Sequence, residues 1–153
     1  MDTSGNYIRN QFCSYDIALK LKELGFDEKC FAIYDAYQDN RLVYLHEDGR
    51  NPSGTIKTNA SMDFSCLAPL YQQVVDWFRE IHCIFIEIEV DDFFDNYAES
   101  YSYQATCKVF KNGELDGMAL VRNKQNNHIF YSYYEARENA ILKAIELCQK
   151  KKS

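Results

Sequence analysis

The stretch from 68 to 90 constrains the fold most, because the spacing of its apolar residues changes once along its length. Its first part places apolar residues four, four and three positions apart, which predicts one face of a helix. The residues of this face are Leu70, Val74, Phe78 and Ile81. Pro69 suits the first turn of such a helix. From Ile84 to Val90 every second residue is apolar, which predicts a half-buried strand directly after the helix.

The residues before this stretch predict a further helix and a hairpin. Ser14 and Asp16 are typical of a helix start, and Gly25 is typical of a helix end, so we expect a helix from about Tyr15 to Leu24. Two segments rich in β-forming residues follow, with a turn signal at 38–40 between them. The predicted strands are Cys30 to Tyr37 and Arg41 to Glu47.

A second hairpin is predicted after the central stretch. Tyr101 to Lys111 alternates between apolar and polar residues, and Asn112-Gly113 is the strongest short hairpin signal in the chain. A two-residue turn there sets apolar against apolar residues, and Gly117 is a candidate bulge position. The expected pairs are Lys111 with Glu114, Phe110 with Leu115, Cys107 with Met118 and Ala105 with Leu120.

The last helix opens with the capping box Ser132-Tyr133-Tyr134-Glu135 and continues to about Lys150. The predicted order is therefore α-β-β-α-β-β-β-α. We expect an α+β fold in which an antiparallel sheet of about five strands, a hairpin plus a three-stranded meander, packs with three helices. Residues 1–153 are expected to form a single domain. Residues 1–11 are predicted to be flexible and 48–65 to be a long loop with a short strand near 55–58.

Composition narrows the class of protein. The net charge of −6 disfavours a general binder of nucleic acids or anionic membranes, and no segment has the composition of a signal peptide or a membrane span. The six cysteines are scattered through apolar stretches without a Cys-x-x-Cys pair. We therefore expect reduced thiols in a cytoplasmic protein that uses no cofactor and binds no metal.

An enzyme is the alternative interpretation. Adjacent His82 and Cys83 could form part of a small hydrolase or transferase site if a carboxylate lay beside them. Neighbouring residues at a junction between a helix and a strand tend to point apart, which disfavours this pair. The acidic residues of 91–100 lack the spacing and the glycine of a calcium-binding hand, so a solvated loop is predicted there.

Three phrases together resemble a known group of proteins. They are Leu21-Lys22-Glu23-Leu24-Gly25-Phe26-Asp27-Glu28 with Cys30-Phe31, Ala68-Pro69-Leu70 leading to Trp77-Phe78-Arg79-Glu80-Ile81-His82, and Ser132-Tyr133-Tyr134-Glu135-Ala136. They resemble short proteins of Bacteroides-type gut bacteria and of their phages and prophages. The resemblance spans most of the chain and implies an origin in a phage or mobile element, but no activity, cofactor or catalytic residue.

Aromatic residues crowd two segments, and alternation along a strand does not bury all of them, so we expect some to reach the surface. The candidate interaction residues are Phe93, Phe94, Tyr97, Tyr101, Tyr103, Phe130, Tyr131, Tyr133 and Tyr134. They predict a non-enzymatic accessory protein that self-associates or binds a protein partner. A weaker alternative is a nucleic-acid-binding module, because the order helix, three strands, helix from 69 onward matches double-stranded-RNA-binding domains. Residues 69–153 carry 10 Lys or Arg against 13 Asp or Glu, which disfavours it.

Overall fold

A computed structural model describes residues 7–44, 65–91 and 101–152 of the chain. The chain divides into two compact units, Met1–Val74 and Val75–Ser153. The division falls inside a continuous helix, Tyr71–His82. The fold belongs to the α+β class, as the sequence predicts.

Helix α1 of the first unit, Tyr15–Leu24, has the predicted bounds. Gly25 follows in the left-handed conformation, with φ of 94°. Its N–H donates to the carbonyl of Lys22, and the N–H of Phe26 donates to the carbonyl of Leu21. These bonds satisfy the last carbonyls of the helix, and the buried Phe26 side chain closes over its end.

The sheet of the first unit contains strands β1 (Ala32–Asp35), β2 (Arg41–Tyr44) and β3 (Ser65–Ala68) in the antiparallel order β2-β1-β3. A 3-10 helix, Ala36–Gln38, lies within the predicted hairpin and ends its first strand at Asp35. The second strand begins at Arg41, as predicted. Tyr34 lies opposite Leu42 on one side and Cys66 on the other. The core of this unit includes Phe12, Ala18, Ala32, Tyr34, Leu42, Cys66 and Ala68.

The second sheet follows helix α2, Tyr71–His82. Its strands, which pair in the antiparallel order β4-β5-β6, are β4 (Ile84–Val90), β5 (Tyr103–Lys111) and β6 (Glu114–Leu120). Helix α3, Tyr133–Lys152, lies against β4 and β5. The Cys107 thiol donates to the carbonyl of Ala140 at 3.4 Å, so the face of β5 that carries Cys107 is the one beneath α3.

The turn at Asn112-Gly113 is confirmed, since both residues have positive φ, 52° and 82°, as a type I′ hairpin requires. The first two predicted pairs of the hairpin, which begin at Lys111 and Phe110, are also confirmed. A bulge beside Phe110 then shifts the register by one residue, next to the glycine at which the sequence suggests one.

The shift makes the two outer predicted pairs wrong. Met118 pairs with Lys108 and Leu120 with Thr106, instead of with Cys107 and Ala105. Because directly opposed residues share a face, Met118 and Leu120 lie on the face of the sheet opposite α3. They are 64% and 39% exposed.

The prediction of one five-stranded sheet and three helices needs two corrections. Among the described residues the strands form two separate sheets of three strands each. The sixth strand is Ser65–Ala68, which pairs with β1 and was not predicted as a strand. The 3-10 helix and a helical turn at residues 7–9 raise the number of helices above three. The turn lies in the predicted flexible start, and the proposed strand near 55–58 falls outside the described residues.

The buried face of helix α2 differs from the predicted one at the C-terminal end of the helix. It begins at Tyr71, two residues after Pro69. Its buried residues are Tyr71, Val74, Trp77 and Phe78. Ile81 is 61% exposed, so the prediction that it is buried is wrong. Its helical angle still falls between those of Trp77 and Phe78, but it lies in the last turn of a helix that ends at His82.

Candidate functional site

A backbone bridge joins the two aromatic segments that the sequence singles out. The N–H of Tyr103 donates to the carbonyl of Phe130 at 2.8 Å, and the N–H of Phe130 donates to the carbonyl of Tyr103 at 2.9 Å. Tyr103 is the first residue of β5, and Phe130 lies just before α3. The bridge therefore fixes the start of the strand beside the start of the helix.

Asn123 organises the loop that returns the chain from β6 to this bridge. Its side-chain oxygen accepts from the N–H groups of Gln125 and Asn127, at 3.0 and 2.9 Å. Its side-chain amide donates to the carbonyl of Ile129 at 3.0 Å. Such side-chain bonds to nearby backbone stabilise turns, and here they hold the residue next to Phe130 in place.

Three tyrosine rings meet at the start of α3. The rings of Tyr103 and Tyr133 are edge-on at 5.8 Å, and those of Tyr133 and Tyr134 are edge-on at 6.2 Å. The guanidinium of Arg137 lies 5.8 Å from the centre of the Tyr133 ring and 5.2 Å from that of Tyr134. Arg137 is three and four residues after these tyrosines, so one turn of helix brings them together.

The start of α3 is also held by its cap. The N–H of Glu135 donates to the hydroxyl of Ser132 at 3.5 Å, and the N–H of Ala136 donates to the carbonyl of the same serine at 3.0 Å. Ser132 therefore caps the helix as predicted. The cap fixes the direction in which Tyr133 and Tyr134 leave the backbone.

Most of these aromatic side chains remain open to solvent. Tyr131 is 75% exposed and Tyr101 is 63% exposed, while Tyr133 and Tyr134 are 43% and 46% exposed. We call the following residues the tyrosine cluster: Tyr101, Tyr103, Tyr131, Tyr133, Tyr134 and Arg137. Arg137 is buried and Tyr103 is half-buried. The exposed rings thus rest on a base that is already ordered.

The nine predicted interaction residues divide into three groups. Phe93, Phe94 and Tyr97 lie outside the described residues. Phe130 is 1% exposed, so its side chain lies in the core and serves the surface only through its backbone bridge. The other five are brought to one end of the second sheet, and they are Tyr101, Tyr103, Tyr131, Tyr133 and Tyr134.

Sequence reasoning missed two residues that organise this surface, Arg137 and Asn123. The spacing of Arg137 from the two tyrosines was a visible signal, because residues three and four apart share a helix face. The role of Asn123 had a weaker signal, namely the run of asparagines in 123–127. Its several partners depend on a loop conformation that composition does not specify.

The pair His82 and Cys83 has a different environment. The His82 ring lies 4.5 Å from the ring of Trp77 and 5.8 Å from that of Phe78, so it packs among aromatic side chains. Cys83 is exposed, and its φ of 54° ends the helix in the left-handed region. Its carbonyl accepts from the N–H of Phe110 at 2.9 Å. The pair thus forms the junction between α2 and β4.

The buried thiols are poor nucleophiles. Cys30, Cys66 and Cys107 are buried, and burial raises the pKa of Cys30 and Cys107 to about 12 and that of Cys66 to about 11. A thiol with such a pKa stays protonated near neutral pH, and the reactive form is the thiolate. In the part of the chain that the structure describes, no group of three His, Cys, Asp or Glu side chains is placed to hold a metal ion.

A shallow groove of about 290 Å³ lies between the end of β6 and α3. It is lined by Leu120, Val121, Arg122, Asn139, Leu142, Lys143 and Glu146. The Lys143 ammonium donates to Glu146 at 2.9 Å, and Lys150 donates to the same carboxylate. Both hydrogen bonds lower the pKa of Glu146, and the bond from Lys150 has the larger effect. One carboxylate is thus shared by two ammonium groups, and Arg122 adds a further positive charge to the lining.

Comparison of the chain with protein-family models, with curated proteins and with solved structures finds no match. None of the helices within the described residues combines the length and apolar character that crossing a bilayer requires.

Proposed function

We propose that the chain is a non-enzymatic, cytoplasmic interaction protein of phage or mobile-element origin, and that the tyrosine cluster binds a protein partner. The observation that carries the proposal is a set of contacts that joins Tyr103 to Tyr133, Tyr133 to Tyr134, and both of the latter rings to Arg137. The rings of Tyr101, Tyr131, Tyr133 and Tyr134 are exposed.

Order in the unbound state is the first support. Binding loses free energy when flexible side chains must be immobilised, so a surface whose rings already contact one another loses less. The backbone bridge at Phe130 and the cap at Ser132 hold both segments of the cluster. A tyrosine also presents a large apolar ring with only two rotatable side-chain bonds.

The chemistry of the cluster favours a protein over a small molecule. Tyr and Arg are the residue types that most often dominate the affinity of protein interfaces. The exposed rings form an open surface, which suits the flat face of a protein or peptide. The hydroxyl of each ring supplies a polar edge that can bond to a partner's backbone.

A peptide-display selection tests this proposal before the partner is identified. A random peptide library is selected on the native chain, and binding of each enriched peptide is then measured on the variant Tyr101→Ser/Tyr131→Ser/Tyr134→Ser. We expect this variant to weaken binding by about tenfold or more, because aromatic anchors dominate such contacts.

The matched control removes exposed tyrosines elsewhere. Tyr7 and Tyr37 are 64% and 79% exposed and belong to the first unit. The variant Tyr7→Ser/Tyr37→Ser should bind the selected peptides as the native chain does. Peptides that bind both variants equally well, or a selection that enriches none, would contradict the proposal.

The nucleic-acid alternative keeps one observation in its favour, namely the order helix, three strands, helix in α2 to α3. The same protein preparation should be titrated with labelled double-stranded and single-stranded RNA at low salt. Binding that weakens steeply with added salt would favour this alternative over a protein partner.

A further inference from the structure

Within the described residues, strand β6 is an edge of the second sheet, because the strand order is β4-β5-β6. The N–H of Val121 donates to the carbonyl of Ala105 at 2.9 Å, which extends the pairing one residue past the strand. In an antiparallel ladder alternate residues bond to the neighbouring strand. Met118 and Leu120 therefore direct their backbone N–H and C=O groups away from β5.

The side chains along this edge form an apolar surface. Leu115 and Met118 are 56% and 64% exposed, and Leu120 is 39% exposed. They share the face opposite α3 with Phe85 and Phe110, whose rings are edge-on at 4.9 Å. A long, apolar edge strand is a template for pairing with another strand.

Acidic residues precede the centre of β6, and basic residues follow it. Glu114 and Asp116 lie five and three residues before Ala119, while Arg122 and Lys124 lie three and five residues after it. The guanidinium of Arg122 donates to the backbone and side-chain oxygens of Asn126, at 3.3 and 3.1 Å, which holds it at the end of the strand.

We propose that β6 pairs with β6 of a second copy of this chain, antiparallel and centred on Ala119. In this register Met118 of one copy lies opposite Leu120 of the other, so the free backbone groups meet. Asp116 lies level with Arg122, and each such contact occurs twice by symmetry. The second sheets of the two copies become one sheet of six strands, and the apolar side chains of Met118 and Leu120 from both copies meet on its open face.

Charge complementarity selects the second copy as the occupant of this edge. A strand that carries acids before its centre and cations after it matches its own sequence when reversed. A parallel arrangement would set like charges side by side. This proposal concerns a different surface from the tyrosine cluster and does not depend on a protein partner being bound there.

Sedimentation velocity of the full chain over a wide concentration range tests the pairing. The edge of one strand buries less area than a standard interface, so we expect a dimer that dissociates in roughly the 10–100 μM range. Backbone hydrogen exchange at Met118 and Leu120 should slow as the dimer fills. A chain that sediments as a monomer at all concentrations would overturn the proposal.

A charge exchange tests the register itself. Asp116→Arg or Arg122→Asp alone places like charges together, and each should weaken the dimer about tenfold or more. The double variant Asp116→Arg/Arg122→Asp restores opposite charges, and its dimer should return to within about threefold of native. Failure of the double variant to recover, with an unchanged thermal midpoint, would overturn the register.

Two further variants separate this surface from others. Met118→Lys should abolish the dimer, while Ile81→Lys, at a position of similar exposure on α2, should leave it intact. The variant Tyr101→Ser/Tyr131→Ser/Tyr134→Ser should also dimerise like the native chain. If that variant is monomeric, self-association uses the tyrosine cluster and the β6 proposal is wrong.

Discussion

Within the described residues, the strands of the first sheet have four residues each, whereas the strands of the second have seven, nine and seven. The second sheet follows from local signals: alternation along β4 and β5, and a turn at Asn112-Gly113. The first sheet depends on β3, which reaches β1 from more than 25 residues farther along the chain.

This difference separates local from non-local strand pairing. A hairpin is specified by its turn and by the alternation of apolar and polar residues along its two strands. Both signals lie in residues that are close in sequence. Strand β3 is almost entirely buried on both faces, with Cys66, Leu67 and Ala68 in succession. A short run of this kind carries no alternation, so its pairing depends on what the rest of the unit presents.

The largest expected effect comes from equivalent core truncations in the two sheets. Leu67 in β3 and Ile84 in β4 are both fully buried. We expect Leu67→Ala and Ile84→Ala each to lower the free energy of unfolding by about 2–5 kcal/mol, because each leaves a cavity. Denaturant titration followed by circular dichroism measures both losses.

Thiol labelling of these variants then tests the prediction of a single domain. Cys13 and Cys30 report on the first unit, and Cys107 and Cys148 report on the second; all four are buried. Since α2 runs through the division, we expect all four to become reactive together in either variant. Labelling of only the unit that carries the truncation would show two separately unfolding domains.

Alkaline pH should have a smaller effect for each pH unit, and more of it should arise in the first unit. Burial raises the pKa of Cys30 from its ordinary 9.0 to about 12, and that of Tyr34 from 10.0 to about 12. Above pH 9 the unfolded chain releases the Cys30 proton while the folded chain keeps it. Stability should therefore fall as pH rises from 9 to 12, by about 1 kcal/mol per pH unit for this thiol.

Substitution of single cysteines identifies the source of that slope. Denaturant midpoints measured between pH 8 and 11 should fall less steeply for Cys30→Ala than for the native chain. Equal slopes in the two proteins would refute the assignment.

The smallest expected effect tests how firmly the turn specifies the second sheet. Gly113 has φ of 82°, and a Cβ added there would meet no atom within 4 Å. Gly113→Ala should therefore lower stability only through backbone strain, by about 1–2 kcal/mol. At Gly117, also open, φ is not positive, and Gly117→Ala should be neutral or slightly stabilising. Thermal unfolding would show the difference, and equal midpoints would contradict it.

Sequence alone determined the elements whose signals are local. Helix α1 with its glycine end, strand β4 and the turn at Asn112-Gly113 all followed from spacing and from residue types that favour one backbone conformation. The aromatic segments were visible too, but Arg137, which lies one helical turn after Tyr133 and Tyr134, was not identified as their neighbour.

Tertiary structure decided what depends on residues far apart in the chain. It paired β3 with β1, and it joined Tyr103 to Phe130, so that two separate aromatic segments became one surface. The bulge in β6 turned Met118 and Leu120 to the open face, because one extra residue in a strand exchanges the faces of every residue beyond it. The sequence suggested a bulge at Gly117, but the predicted pairs did not include the shift, because the same residues stand in the same order in either register.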